Sequence, residues 1–178
     1  MAIGLRPRKC RHCKQKYIPQ RPLQTACSVD CAIALMEAAK RKIQRRKDAA
    51  RRNELKSKGE LARDAQTAFN KYIRARDEAE PCISCGRHHS GQYHAGHYRT
   101  VGSSPELRFE ESNVHKQCAP CNNHLSGNIV NYRKRLIEKI GIEKVEWLEG
   151  PHEPKHYTKE ELREIRALYI QKLKELKK

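Results

Sequence analysis

No run of about 18 apolar residues occurs anywhere in the chain, and no N-terminal apolar stretch ends in a small-residue cleavage site. The first absence argues against a membrane-spanning helix and the second against a secretory signal. The expected setting is therefore cytoplasmic, with reduced thiols and no membrane partner. Apolar material is also scarce. Hydrophobic residues make up 37% of 178 residues and aromatics 6%, with one Trp and two Phe. That is thin for one large core, and small domains of this kind usually need staples. Acidic residues are few as well, 21 against 38 Lys and Arg, which leaves a formal charge of +17. Such an excess serves solubility or, more specifically, a nucleic-acid partner, whose phosphates release condensed counterions to basic groups. No internal repeat is visible beyond two sets of cysteines.

Those eight cysteines are the staples. Cys10-x2-Cys13 and Cys27-x3-Cys31 frame a stretch containing Pro19 and Pro22. The spacing fits a four-cysteine zinc knuckle over residues 1–35, with Ser28 and Asp30 suited to the first turn of a helix. His12 is an alternative ligand within it. Cys82-x2-Cys85 and Cys118-x2-Cys121 make the second set. Two thiolates on one tight turn can reach a single ion, and two such turns close a tetrahedral shell. Two structural Zn2+ sites are expected, both too closed to be catalytic.

From Ala32 to about Ala79 helix formers dominate and turn residues disappear. Residues 36–80 read as a basic helical linker, divided near Gly59, with a second helix at 61–76. Residues 40–58 hold ten basic residues against Asp48 and Glu54. Lys40, Arg41, Lys42, Arg45, Arg46, Lys47, Arg51 and Arg52 are the candidate phosphate contacts, since apolar residues there are too sparse for a buried face. By contrast, Leu61, Ala65, Ala68, Phe69, Tyr72 and Ile73 form a stripe at helical spacing, expected to pack on a neighbouring domain.

Residues 81–150 form the central module. A strand is expected at 92–100 and a loop at 102–112, with 107–109 as a short second strand. A helix should start at Asn122, and another should run over 129–140 until Gly141. A short helical piece follows at 142–148. In residues 151–178 a capping box, Thr158 with Glu161, precedes an amphipathic helix carrying Leu162, Ile165, Tyr169, Leu173 and Leu176. That stripe covers the central module or pairs with a second copy. The fold class is α+β, small and zinc-stapled.

The order Cys82-x2-Cys85, His97, Asn113, Cys118-x2-Cys121-Asn122 resembles a zinc-supported HNH, or ββα-metal, nuclease module. The longer run of His94-Ala-Gly-His-Tyr-Arg, Leu107-Arg-Phe, Asn113-Val-His-Lys-Gln-Cys, Cys121-Asn and Ser126-Gly-Asn resembles the NinG/Rap recombination proteins of lambda-type phages. Endonuclease seven, a phage junction resolvase, has a similar order. The resemblance extends over most of the chain, and it implies a phage or prophage protein of a bacterial host cell. The implied activity is structure-specific endonuclease cleavage of branched DNA, Holliday junctions and D-loops, during recombination.

Carried onto this sequence, the resemblance makes His97 the general base, suited by a pKa near neutrality. Asn122 becomes a ligand of a catalytic Mg2+ or Mn2+, and Asn113 fixes a loop. Arg99 and Arg108 are candidates for holding the scissile phosphate. Many HNH sites carry a metal-binding aspartate just before the base, where this chain has Gly96. His94 is the substitute ligand, with His115 and His124 as competitors. Symmetric cutting of a four-way junction requires two sites, so a homodimer is implied, with the stripe from Leu162 to Leu176 as the suspected interface. Two other readings stand beside this one: an HNH nuclease without junction preference, and a zinc-finger DNA-binding mediator or regulator without nuclease activity.

Overall fold

The computed structural model describes residues 6–177. They fall into two compact units divided between Lys56 and Ser57. In the first, strand β1 (Arg8–Lys9) pairs antiparallel with β2 (Lys16–Tyr17) around the turn carrying Cys10 and Cys13. The turn closes through Cys10 N–H to Gln15 O and Lys14 N–H to Cys10 O, at 2.8 and 3.0 Å. Helix α1 (Val29–Leu55) starts at Ser28, whose hydroxyl accepts the Cys31 N–H. That cap sets Cys31 into the first turn, as the sequence led one to expect. None of the 27 residues of α1 is buried, and at 1.5 Å per residue the helix is about 40 Å long.

The second unit opens with α2 (Lys58–Arg76), capped reciprocally by Ser57 and Glu60. The helical stretch therefore breaks at Ser57, and Gly59 lies inside the first turn of α2. Strand β3 (Tyr93–His97) pairs antiparallel with β4 (Val114–Cys118), His97 opposite Val114 and Tyr93 opposite Cys118. The second strand is thus not at 107–109. Pro105 starts a 3-10 turn, Pro105–Leu107, and a second turn, Glu111–Asn113, leads into β4. After β4 the chain makes a π-helical turn, Pro120–His124, rather than entering a helix at Asn122. Helices α3 (Ile129–Ile140), α4 (Ile142–Glu149) and α5 (Lys159–Glu175) follow, with Gly141 between the first two and the Thr158 to Glu161 capping box before the third.

The two-stranded ribbon lies between two apolar clusters. On one side Leu61, Ala65, Phe69 and Ile73 of α2 pack with Phe109, Val114, Leu162 and Tyr169. The Phe69 ring meets Phe109 and Tyr169 edge on, at 5.7 and 4.7 Å. On the other side Ile83, Tyr98 and Leu107 pack with Tyr132, Leu136, Val145 and Leu148. Tyr98 and Phe109 are core residues, Tyr98 just past the end of β3 and Phe109 in a turn. The α5 stripe does not form the suspected dimer interface with its buried face: Leu162 and Tyr169 are buried on α2 of the same chain, which shares its apolar stripe with them. Among the described residues, no helix is long and apolar enough to cross a membrane.

Candidate functional site

Both cysteine sets converge. The Sγ atoms of Cys10, Cys13, Cys27 and Cys31 lie within 4.8 Å of one another, as do those of Cys82, Cys85, Cys118 and Cys121. Each group could hold a zinc ion, and sulfur-only donors suit zinc better than hard cations. His12 is exposed and outside the first group. In the second, Gly86 N–H bonds Cys82 O, closing the turn at 2.8 Å with Gly86 at φ +68. Thiolate charge is met by N–H donors from Cys118 N to Cys82 Sγ and from Asn128 Nδ2 to Cys121 Sγ. His89 is half-buried with Nε2 3.2 Å from Cys85 Sγ.

His97 ends β3 on the side facing α2, its ring centroid 6.5 Å from that of Phe69. Its Nε2 lies 3.0 Å from the carbonyl oxygen of Arg108. A carbonyl only accepts, so Nε2 carries the proton and Nδ1 keeps its lone pair. Burial pulls the imidazole below its ordinary value; the bond to the Arg108 carbonyl opposes that pull, while the Arg108 charge adds to it. Arg108 is itself tied by Nε to Gln66 Oε1 at 2.8 Å.

The loop that supplies this carbonyl is held by Asn113, which is wholly buried. Its Oδ1 accepts from Arg99 N–H at 2.8 Å, and its Nδ2 donates to Arg99 O and Leu107 O at 3.0 and 3.1 Å. Asn113→Ala would leave the Arg99 N–H and carbonyl without these partners and the Leu107 carbonyl with the Glu110 N–H alone. It is expected to cost about 3 kcal/mol and to speed amide exchange across residues 99–113. A lowered urea midpoint together with exchange mass spectrometry checks both.

The other candidates are more dispersed. Side chains alternate along a strand, so His94 shares a face with Gly96 and Tyr98, while His97 shares one with Tyr93 and Ala95. Tyr132 of α3 reaches the His94 face, its OH donating to Gly96 O at 2.9 Å. His94 and His97 are therefore on opposite faces of the ribbon and not side by side, a consequence of their odd spacing. His94 Nε2 is buried without a hydrogen-bond partner. Asn122 lies in the π-helical turn and bonds Asn123 through its Nδ2. Arg99 Nε is also buried and unpartnered.

His115 serves another purpose: Nδ1 lies 3.0 Å from Arg76 Nη2 and 3.5 Å from Asp77 Oδ2, and Nε2 is 3.2 Å from Ser112 O. Burial alone would raise the Asp77 carboxyl, yet bonds from His115, Arg76 and the Lys116 N–H hold it well below the usual carboxylate range. This cluster ties the end of α2 to β4. His124 is exposed. In the first unit, Arg41, Lys42, Arg45 and Arg46 line a shallow groove along α1, and the whole basic set from Lys40 to Arg52 is exposed.

Gln117 is a buried polar residue to which the motif reading gave no role. Its Nε2 donates to Ser84 Oγ and Gly127 O, each at 2.6 Å. Gly127 sits in a left-handed run with Ser126 and Asn128, which explains the Ser126-Gly-Asn motif as a backbone device.

No solved structure matches the chain. The sequence is 43% identical to protein ninG of Salmonella phage P22, over 96% of this chain and 94% of that one. It is 42% identical to protein ninG of Escherichia phage lambda, over 96% of this chain and 93% of the relative. The family described as Bacteriophage Lambda NinG protein matches residues 3–178. With the match spanning both cysteine clusters, the ribbon and α5, this chain belongs to the NinG family of bacteriophage proteins.

Proposed function

We propose that the chain is a structure-specific DNA endonuclease that hydrolyses phosphodiesters in branched DNA, with His97 as general base. The observation that carries this reading is the fixed imidazole of His97. Its Nε2 is committed to the Arg108 carbonyl, and desolvation keeps the ring neutral near pH 7, so Nδ1 is free to take a proton from water. Nothing in a purely structural histidine requires a lone pair held in this way beside Arg108 on an asparagine-pinned loop. A bound Mg2+ or Mn2+ would stabilise charge on the phosphate and leaving oxygen, with Asn122 and His94 as the candidate ligands. Arg108 and Arg99 flank the same loop and can hold a phosphate. The exposed basic face of α1 offers backbone contacts that read shape and not bases.

A second reading, a zinc-stapled DNA-binding protein without nuclease activity, is favoured by one observation. A Cβ at Gly96 would lie 2.0 Å from Gln117 Oε1, so this position has no room for the acidic ligand of the nucleases it resembles. The deciding experiment incubates the zinc-loaded chain with labelled four-way junction, matched duplex and single strands, in Mg2+, Mn2+ or EDTA. Cation-dependent cutting confined to the junction is the expected result. Equal cutting of duplex removes the junction preference, and tight binding without cleavage in either cation overturns the nuclease reading.

A further inference from the structure

His94 and Gln117 stand directly opposite each other in the β3–β4 register, and cross-strand pairs of this kind place their Cβ atoms about 5 Å apart on one face. That face is the one α3 covers. Two observations mark it as more than packing. His94 Nε2 is buried with no partner in the protein, a costly arrangement for an imidazole nitrogen unless something accepts its lone pair. Gln117, wholly enclosed, spends both N–H bonds on Ser84 and Gly127. This leaves its amide oxygen turned toward Gly96, 2.0 Å from where a side chain at 96 would begin.

We propose that Gln117 and His94 form a divalent-cation site, the Gln117 amide oxygen occupying the space where related nucleases place a carboxylate. The assignment deepens the nuclease reading and rests on it for the cation's role, though not for its binding. The donor chemistry has two consequences. An imidazole nitrogen beside an amide oxygen favours Mn2+ over Mg2+, which prefers oxygen alone. Neither donor carries charge, so the pair holds a bare cation weakly and gains affinity when a phosphate oxygen joins the shell. By reciprocity, phosphate and cation tighten one another by the same factor.

The test is Mn2+ titration of the full, zinc-loaded chain by electron paramagnetic resonance, alone and with inorganic phosphate, with zinc content and thermal melt recorded for each variant. Wild type should bind one Mn2+ beyond its two zincs, more tightly with phosphate. His94→Ala removes an atom that bonds nothing in the protein, so it should keep its zinc and melt while losing about tenfold or more in Mn2+ affinity. Gln117→Ala should show the same loss. Gly96→Asp alone should clash and destabilise. The pair Gly96→Asp with Gln117→Ala should regain cation binding with preference moved toward Mg2+.

Undiminished Mn2+ binding in a folded His94→Ala, or a wild type that takes up no cation beyond zinc, overturns this site. Cleavage that survives both single variants also counts against it and leaves the nuclease reading intact. Mn2+ binding through these residues in a chain that cuts no DNA keeps the site and removes the nuclease reading alone.

Discussion

Cys118→Ser is expected to unfold residues 57–178 as a unit, with loss of one bound zinc of two. Cys118 is the last residue of β4 and almost fully buried, and its N–H points at Cys82 Sγ. Removing one thiolate therefore opens the metal shell at the point where the ribbon, the Cys82 turn and the π-helical turn meet. Structural zinc contributes on the order of 10–16 kcal/mol to folding in small domains, against a net stability of roughly 5–15 kcal/mol for a whole domain. The two apolar clusters of this unit comprise ten and seven buried residues, too few to absorb such a loss. Cys31→Ser belongs to the other unit and should leave this melting transition in place. Circular dichroism melts combined with zinc stoichiometry separate the two, and a Cys118→Ser protein that melts like wild type would remove zinc from the account of this fold.

The second large effect is catalytic. His97→Ala should slow cleavage by about a hundredfold to ten-thousandfold, the usual contribution of a positioned general base, equivalent to about 3–5 kcal/mol of barrier. Junction affinity should stay within about threefold, because His97 is mostly buried and adds no formal charge. The pH profile identifies the role. A base whose pKa is lowered from 6.5 by burial is already neutral above that value, so the wild-type rate should be level from about pH 6.5 upward and fall only on the acid side. In His97→Ala that acid limb should vanish, leaving a slow rate that climbs with hydroxide. An unchanged rate or an unchanged acid limb in the variant would assign the base elsewhere. His97→Gln is a useful companion, since it can still bond the Arg108 carbonyl but cannot take the proton.

Much of this architecture is legible in the residues. Ser28, Thr158 with Glu161, and Gly141 mark helix ends by local chemistry alone, and all three ends are where that chemistry puts them. The two cysteine sets are equally local, since CxxC turns carry their geometry with them. Strand β4 is the instructive failure. Val-His-Lys-Gln-Cys has no apolar alternation, yet all five residues are buried, because each polar member has a distant partner. Lys116 reaches the Glu78 carbonyl, its N–H meets Asp77, and His115 sits against Arg76. No window of sequence contains both halves of such pairs.

The separation of His94 from His97 was available in principle, since a spacing of three on a strand reverses the face. Gln117 was not: its significance lies in the empty Cβ position of Gly96 across the ribbon, which appears only once the register is known.

The pairing of α2 with α5 also bears on how the chain is made. The stripe of α2 ends at Ile73, and the residue that first covers it from α5 is Leu162, roughly 90 positions later in translation, or about 5–18 s at 5–20 residues per second. For that interval Leu61, Phe69 and Ile73 have emerged from the ribosome without the part of their cover that α5 supplies. Loss of the last twenty residues would extend the interval indefinitely, so a stop codon near residue 158 should yield a product captured by chaperones or degraded rather than a shortened folded protein.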